Sequence, residues 1–265
     1  MQIDEIDILF DYICNVSKKK IMIDVGACRG VTLKPFLLAS WEVYAFEPDK
    51  NNYVYLEKLK KEFSNLKIFK NAVSDMIESD VPFYTSDVSP GISGLHNFHS
   101  THKETNKVDT TTLKKFSEDH NIKEIDFIKI DTEGSDLFVL KGIPWDKIKP
   151  KVIICEFEDR KTNALGYNYK NMADYLIEQG YELLISEWKP IVEYGGKHNW
   201  STFKRYPCEL DNINAWGNLI AFNKDINYEK LLNSIIKSYD KQIIKMNNTP
   251  YNKIKRKIKK ILRIK

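Results

Sequence analysis

The chain has 265 residues, 42% of them hydrophobic, with 41 Lys+Arg against 37 Asp+Glu and a formal charge of +4. That length supports a sizeable core in one or two domains, and the apolar fraction excludes a disordered chain. Eight of the 41 basic residues fall in the last fifteen positions, which hold no acid; the other 33 face 37 acids, so the body carries about −4 and reads as a poor nucleic-acid binder.

Residues 1–19 read as a helical lead-in. Their acids stand where a secretory signal needs basic residues, so a cytoplasmic protein is expected. Residues 20–25 (KIMIDV) read as a buried strand ending in an acid, followed by glycines and a helix over 31–40. Residues 43–47 (VYAFE) form a second such strand. Pro48-Asp49 starts the next helix, with Tyr53, Leu56, Leu59, Lys60 and Phe63 as its stripe. Residues 66–71 form a third strand. This alternation predicts a parallel sheet covered on both faces.

Residues 81–102 are rich in Ser, Gly, Pro and His and read as an irregular segment or short hairpin at the mouth of a site. A helix over 111–120, a strand over 126–131, a helix over 135–141 and a strand over 151–156 follow. Next come a helix over 169–179 ended by Gly180, a strand over 181–186 and, past a loop rich in Trp, Gly and Tyr, a strand over 216–223. The expected architecture is α/β and Rossmann-like, with a seven-stranded, mostly parallel sheet in one domain over 20–224. Residues 225–265 add an amphipathic helix over 228–246, with Tyr228, Leu231, Leu232, Ile235, Ile236 and Tyr239 on one face, and a basic tail. In the tail, Tyr251, Ile254, Ile258, Ile261 and Leu262 recur at helical spacing among lysines. That is the pattern of an interfacial helix on an anionic membrane, with a solvated terminus as the alternative. Cys14, Cys28, Cys155 and Cys208 are scattered and read as reduced thiols.

The first strand runs into Asp24-Val25-Gly26-Ala27-Cys28-Arg29-Gly30, where two glycines let the backbone lie close to a ligand. Glu47 lies about twenty residues on, the spacing at which a carboxylate accepts the hydroxyls of an adenosine ribose. A dinucleotide loop wants further glycines where Cys28 and Val31 stand, so that a pyrophosphate meets bare backbone. The loop instead suits a phosphate-free ligand with a zwitterionic end, such as S-adenosylmethionine. Asn71, Ala72, Ser74 and Asp75 at the third strand's end bring polar groups to the same crevice.

Four blocks stand in a familiar order: IDVGACRG at 23–30, AFEPD at 45–49, NAVSD at 71–75 and IDFIKIDTEGSDLFVLKG at 125–142. With PKVIICEFE at 150–158, the chain resembles the FkbM-type S-adenosylmethionine-dependent methyltransferases over roughly residues 20–223. Cys28 departs from the family's more common Asn. The resemblance implies a class I methyltransferase fold and methyl transfer to a hydroxyl, often of a sugar or polyketide-type molecule. By position it implies that Asp24, Gly26, Ala27, Cys28 and Gly30 surround the methionine end, and Glu47 and Pro48 the ribose. Asp75 is then near the adenine amino group, with Asn71, Ala72 and Ser74 around the ring. Asp131 and Glu133 face the methyl group and the acceptor.

A sugar hydroxyl is a weak nucleophile, so a carboxylate or imidazole beside it should take its proton. Asp131 and Glu133 are candidates, because an i, i+2 pair leaving a strand can converge and Gly134 allows the turn. Glu156 and Glu158 leave the next strand toward the same crevice. His198, in a late glycine-rich loop, is another candidate base that folds over the acceptor. His96, His99 and His102 recur every third residue, but Gly91, Ser93 and Gly94 argue against a helix that would align them on zinc. Asp131, Glu133 and Glu156 offer oxygen ligands for magnesium, although no metal is expected. Tyr167, Tyr169, Trp188, Tyr194, Trp200, Tyr206 and Trp216 suit stacking on sugar faces. The expected activity is therefore O-methylation of a sugar or glycoconjugate precursor by a cytoplasmic enzyme, with peripheral contact to an anionic membrane through 251–265. The alternatives are an NAD-dependent sugar oxidoreductase or epimerase, and a non-catalytic membrane-associated binding module.

Overall fold

A computed structural model of the chain describes residues 3–223 and 228–247. Asp4 opens α1 (Glu5–Val16) by accepting the Asp7 N–H at 3.0 Å. Strand β1 (Ile21–Val25) leads through a 3-10 turn into α2 (Lys34–Leu38), which ends earlier than expected where Ser40 takes a positive φ. β2 (Glu42–Phe46) follows, then α3 (Lys50–Glu62), capped by Asp49 on the Asn51 N–H at 2.8 Å. After β3 (Leu66–Phe69) come three short outlying pieces, β4 (Ala72–Val73), β5 (Val81–Thr85) and β6 (Lys103–Val108), and then β7 (Thr110–Thr111). The chain continues through α4 (Leu113–Asp119), β8 (Phe127–Ile130), α5 (Asp136–Lys141), β9 (Val152–Glu158), α6 (Asp159–Thr162) and α7 (Tyr169–Glu178). It closes with β10 (Tyr181–Trp188), β11 (Trp200–Arg205), β12 (Trp216–Asn223) and α8 (Tyr228–Asn247). Among the described residues, no helix is long and apolar enough to cross a membrane. The basic tail at 251–265 lies outside the described residues.

Eight strands form one sheet in the order β11-β10-β12-β9-β8-β1-β2-β3. The expected count of seven is corrected by β11, an edge strand (WSTFKR) whose polar and charged residues hide the strand pattern. β3, β2, β1, β8 and β9 run parallel; β12 opposes both β9 and β10, and β11 opposes β10. The chain leaves β1 toward β2 on one side and returns to β8 on the other. This reversal opens a crevice at the carboxyl ends of β1 and β8, the place where such sheets bind ligands.

Side-chain alternation along the strands builds two cores. Met22 and Phe127 join Leu9 and Ile13 of α1, Phe36 of α2, and Leu231, Ile235 and Tyr239 of α8. Ile23, Val25, Ile128 and Ile130 join Phe116 of α4, Leu140 of α5 and Leu176 of α7. The first and last helices thus share one apolar layer with the sheet. β5 and β6 pair as an antiparallel hairpin, and the chain between them folds back so that Tyr84 and Gly94 exchange backbone hydrogen bonds of 2.9 and 3.0 Å.

Candidate functional site

The ends of β1, β2 and β8, the chain after β3, and the 86–102 loop enclose a cavity of about 220 Å³. Gly26, Cys28, Glu47, Pro48, Asn71, Ala72, Asp131 and Glu133 of the expected site residues line it. Gly26 has φ +78°, and a Cβ there would lie 1.9 Å from the Asp131 carbonyl oxygen, so only glycine lets the β1 loop touch the end of β8. Glu47 is 4% exposed. Its carboxylate accepts the Cys28 N–H at 2.6 Å and the Asp49 N–H at 2.8 Å, and burial pushes it up to about 8. The loop is pinned over the cavity: Ser93 donates to Asp49 at 2.8 Å, and Asn52 donates to the Pro90 carbonyl at 2.9 Å.

The lining fits an adenosyl ligand. Asn52 and Ser135, 2% and 1% exposed, each present a buried oxygen with no protein partner, and both residues border the cavity. Buried polar atoms need partners, and the hydroxyl and amino groups of an adenosine can supply them. No lysine or arginine is among the described residues lining this cavity. Sequence reading missed Asn52 and Ser135, because a polar residue inside a helix stripe or at a helix start carries no signal of its own.

Several expected residues stand elsewhere. Asp24 is fully buried beneath the loop, where it accepts from Thr32 at 2.7 Å and lies 3.6 Å from the Lys129 ammonium. Ala27 is buried and donates its N–H to the Phe46 carbonyl. Gly30, at φ +74°, is packed against Leu56 and Leu59 of α3. Ser74 and Asp75 bond to each other at 3.1 Å, away from the lining, because pairing of β4 with β7 draws the chain off the cavity after Val73. His198 lies edge-on to Trp216, 5.1 Å between centroids, and borders none of the cavities described here. In the loop, His102 donates to the Ile92 carbonyl, His99 meets the Thr101 hydroxyl and His96 packs near Phe138, so each has separate work.

Three acids do converge. Carboxylate oxygens of Asp131, Glu133 and Glu156 lie within 4.8 Å of one another. Glu133 sits at φ +57° and Gly134 at φ +104°, a paired left-handed turn that folds Glu133 back toward the strand ends. The Lys161 ammonium, 2% exposed, lies 2.5 Å from Glu133, 2.9 Å from Glu156 and 3.0 Å from Glu158. Burial pushes Glu133 up to about 7 against the pull of Lys161, and Glu156 well above the usual carboxylate range. Phe98 and Tyr194 face the same ammonium at 5.2 and 5.7 Å, and with Arg160 and His99 they line a second cavity of about 350 Å³.

A third cavity, about 750 Å³, opens between the first turn of α1 and the strand ends. Trp188, Trp216, Asn218, Thr32, Lys129 and Glu156 border it, and it shares Asp131 with the first cavity. Of the aromatic residues expected to stack on a ligand, Tyr167, Tyr169, Trp188 and Trp200 are buried in packing, Trp188 also bordering the third cavity; Trp216 and Tyr194 border cavities and are only partly buried.

A profile of the family described as Methyltransferase FkbM domain matches residues 24–183. No curated protein matches the chain in sequence. Among solved structures, precorrin-6y C5,15-methyltransferase from Geobacter metallireducens is 10% identical, with 84% of this chain and 90% of that one covered and a TM-score of 0.43. An rRNA methylase from Streptococcus thermophilus is 11% identical over 84% and 98% of the two chains, TM-score 0.42. A SAM-dependent O-methyltransferase from Thermotoga maritima is 11% identical over 84% and 67%, TM-score 0.40. Likeness at that level says nothing of the acceptor.

Proposed function

From the premise that the chain belongs to the FkbM methyltransferase family, with S-adenosylmethionine as its cofactor, we propose O-methylation of a sugar or glycoconjugate hydroxyl. The observation that carries this reading is the third cavity, where two indoles and Glu156 border a space that meets the first cavity at Asp131. Indole faces receive the C–H face of a sugar, and carboxylates accept its hydroxyls.

The cofactor supplies a methyl group already activated on sulfur. Glu47, Asn52 and Ser135 are the residues that would bind the adenosine. Holding the acceptor oxygen in line is worth about 7–11 kcal/mol, and the walls of the third cavity would do that work. Asp131, with 37% of its side chain exposed, borders both cavities, which supports it as the group that takes the hydroxyl proton. Lys161 keeps Glu133 and Glu156 ordered behind it.

The test is methyl transfer from labelled S-adenosylmethionine to a panel of neutral glycosides, amino sugars and phenols. Label on a glycoside hydroxyl is the expected result; label on the phenols alone contradicts it. The basic tail supports a further part of the same reading, peripheral contact with an anionic membrane.

A further inference from the structure

Lys129 stands in a strand that is otherwise apolar, one residue before Ile130 and in register with Asp24 on β1. Ile128 and Ile130 point into one core, so alternation sends Lys129 to the other face with Phe127. Its side chain is only 14% exposed. A lysine is rarely buried unless paired. It donates to Asp131 at 3.2 Å, whereas Asp24 is 3.6 Å away and that Asp24 oxygen has no hydrogen-bond partner. An ammonium has three donors, and one hydrogen bond accounts for one of them. Lys129 also lines the third cavity.

The charge balance of that cavity is one-sided. Asp4, Glu5, Asp7, Asp131 and Glu156 border it, and Lys129 is the sole cation among its described lining residues. An anionic group that enters meets one cation, which Asp131 and Asp24 already flank. The cavity meets the adenosyl cavity at Asp131, so the amino-acid end of a cofactor lying across that boundary reaches Lys129. We propose that Lys129 is the residue that receives the α-carboxylate of the cofactor's methionine end, with fully buried Asp24 as the positioning residue that fixes the ammonium from below. This rests on the cofactor reading. It also moves Asp24 from a direct ligand contact to a role exercised through Lys129.

Calorimetry tests it with S-adenosylhomocysteine, its decarboxylated analogue and 5′-methylthioadenosine, which lacks the amino-acid end. Wild-type protein should bind S-adenosylhomocysteine at least tenfold more tightly than the decarboxylated analogue. Lys129→Met should erase that preference and leave 5′-methylthioadenosine within about twofold, since a lost charged contact is confined to the ligand that carries the charge. Equal wild-type affinity for the carboxylated and decarboxylated ligands overturns the role of Lys129 without any variant. So does an equal loss for all three ligands in a Lys129→Met protein that melts as wild type does. Wild-type protein that binds none of the three overturns the cofactor reading itself.

Discussion

The Cys28 backbone N–H meets the Glu47 carboxylate at 2.6 Å, so the acid at the end of β2 holds the glycine loop that follows β1. Cys28 has φ +49°, a left-handed conformation that costs energy for any residue with a Cβ. One side chain therefore shapes the loop and lines the cavity beneath it.

Replacing Glu47 with Ala should weaken binding of S-adenosylhomocysteine at least tenfold. A hydrogen bond of a neutral carboxyl is worth about 0.5–1.5 kcal/mol, and both the ribose contacts and the loop anchor are lost. Unchanged affinity by calorimetry removes Glu47 from the site.

Stability should carry the mark of the same residue. Burial raises Glu47 from the usual 4.5 to about 8, so in that window the folded chain binds more protons than the unfolded one. Its contribution is whole below about pH 4.5 and is lost as pH rises through about 8. Denaturant titrations at about pH 5.5 and about pH 8.5 should show a smaller difference for Glu47→Gln than for wild type. An unchanged difference contradicts the burial argument.

Asp131→Asn should lower methyl transfer by about 10² or more while keeping S-adenosylhomocysteine affinity close to wild type, as loss of a general base does. Near-normal turnover on an accepted glycoside excludes Asp131 as the base.

Lys161→Met leaves Glu133, Glu156 and Glu158 without their shared ammonium. Stranding buried carboxylates costs about 3–5 kcal/mol. The loss should be larger near pH 8 than near pH 6, because burial raises Glu133 well above the usual carboxylate range and a protonated carboxyl needs no counter-ion. A pH-independent loss in chemical denaturation points to packing alone.

Deleting 251–265 should abolish binding to vesicles rich in anionic lipid and spare methylation of a soluble acceptor. Equal sedimentation of both forms with the vesicles contradicts the membrane reading.

The strand ends were legible because their chemistry is local. An apolar run that stops at Asp24, Glu47 or Asp131 marks both a strand and its carboxyl end. Less legible was how far each acid sits from the cavity: Asp24 and Asp131 end neighbouring strands, yet one is fully buried and the other open. Asp75 illustrates a second limit, since the β4–β7 pairing that carries it away joins segments distant in sequence. Lys161 was silent in the string EDRKT, where a lysine reads as solvated. Lys129 did have a signal, a cation inside the buried run DFIKID.

The central claim is that the cavity under the 86–102 loop holds an adenosyl donor with its sulfur toward Asp131. A crystal structure with S-adenosylhomocysteine tests it most directly. The account predicts ribose hydroxyls on Glu47, adenosine polar atoms at Asn52 or Ser135, and sulfur at the boundary of the two cavities. Ligand density outside that cavity, with Glu47 in contact only with protein, would contradict it.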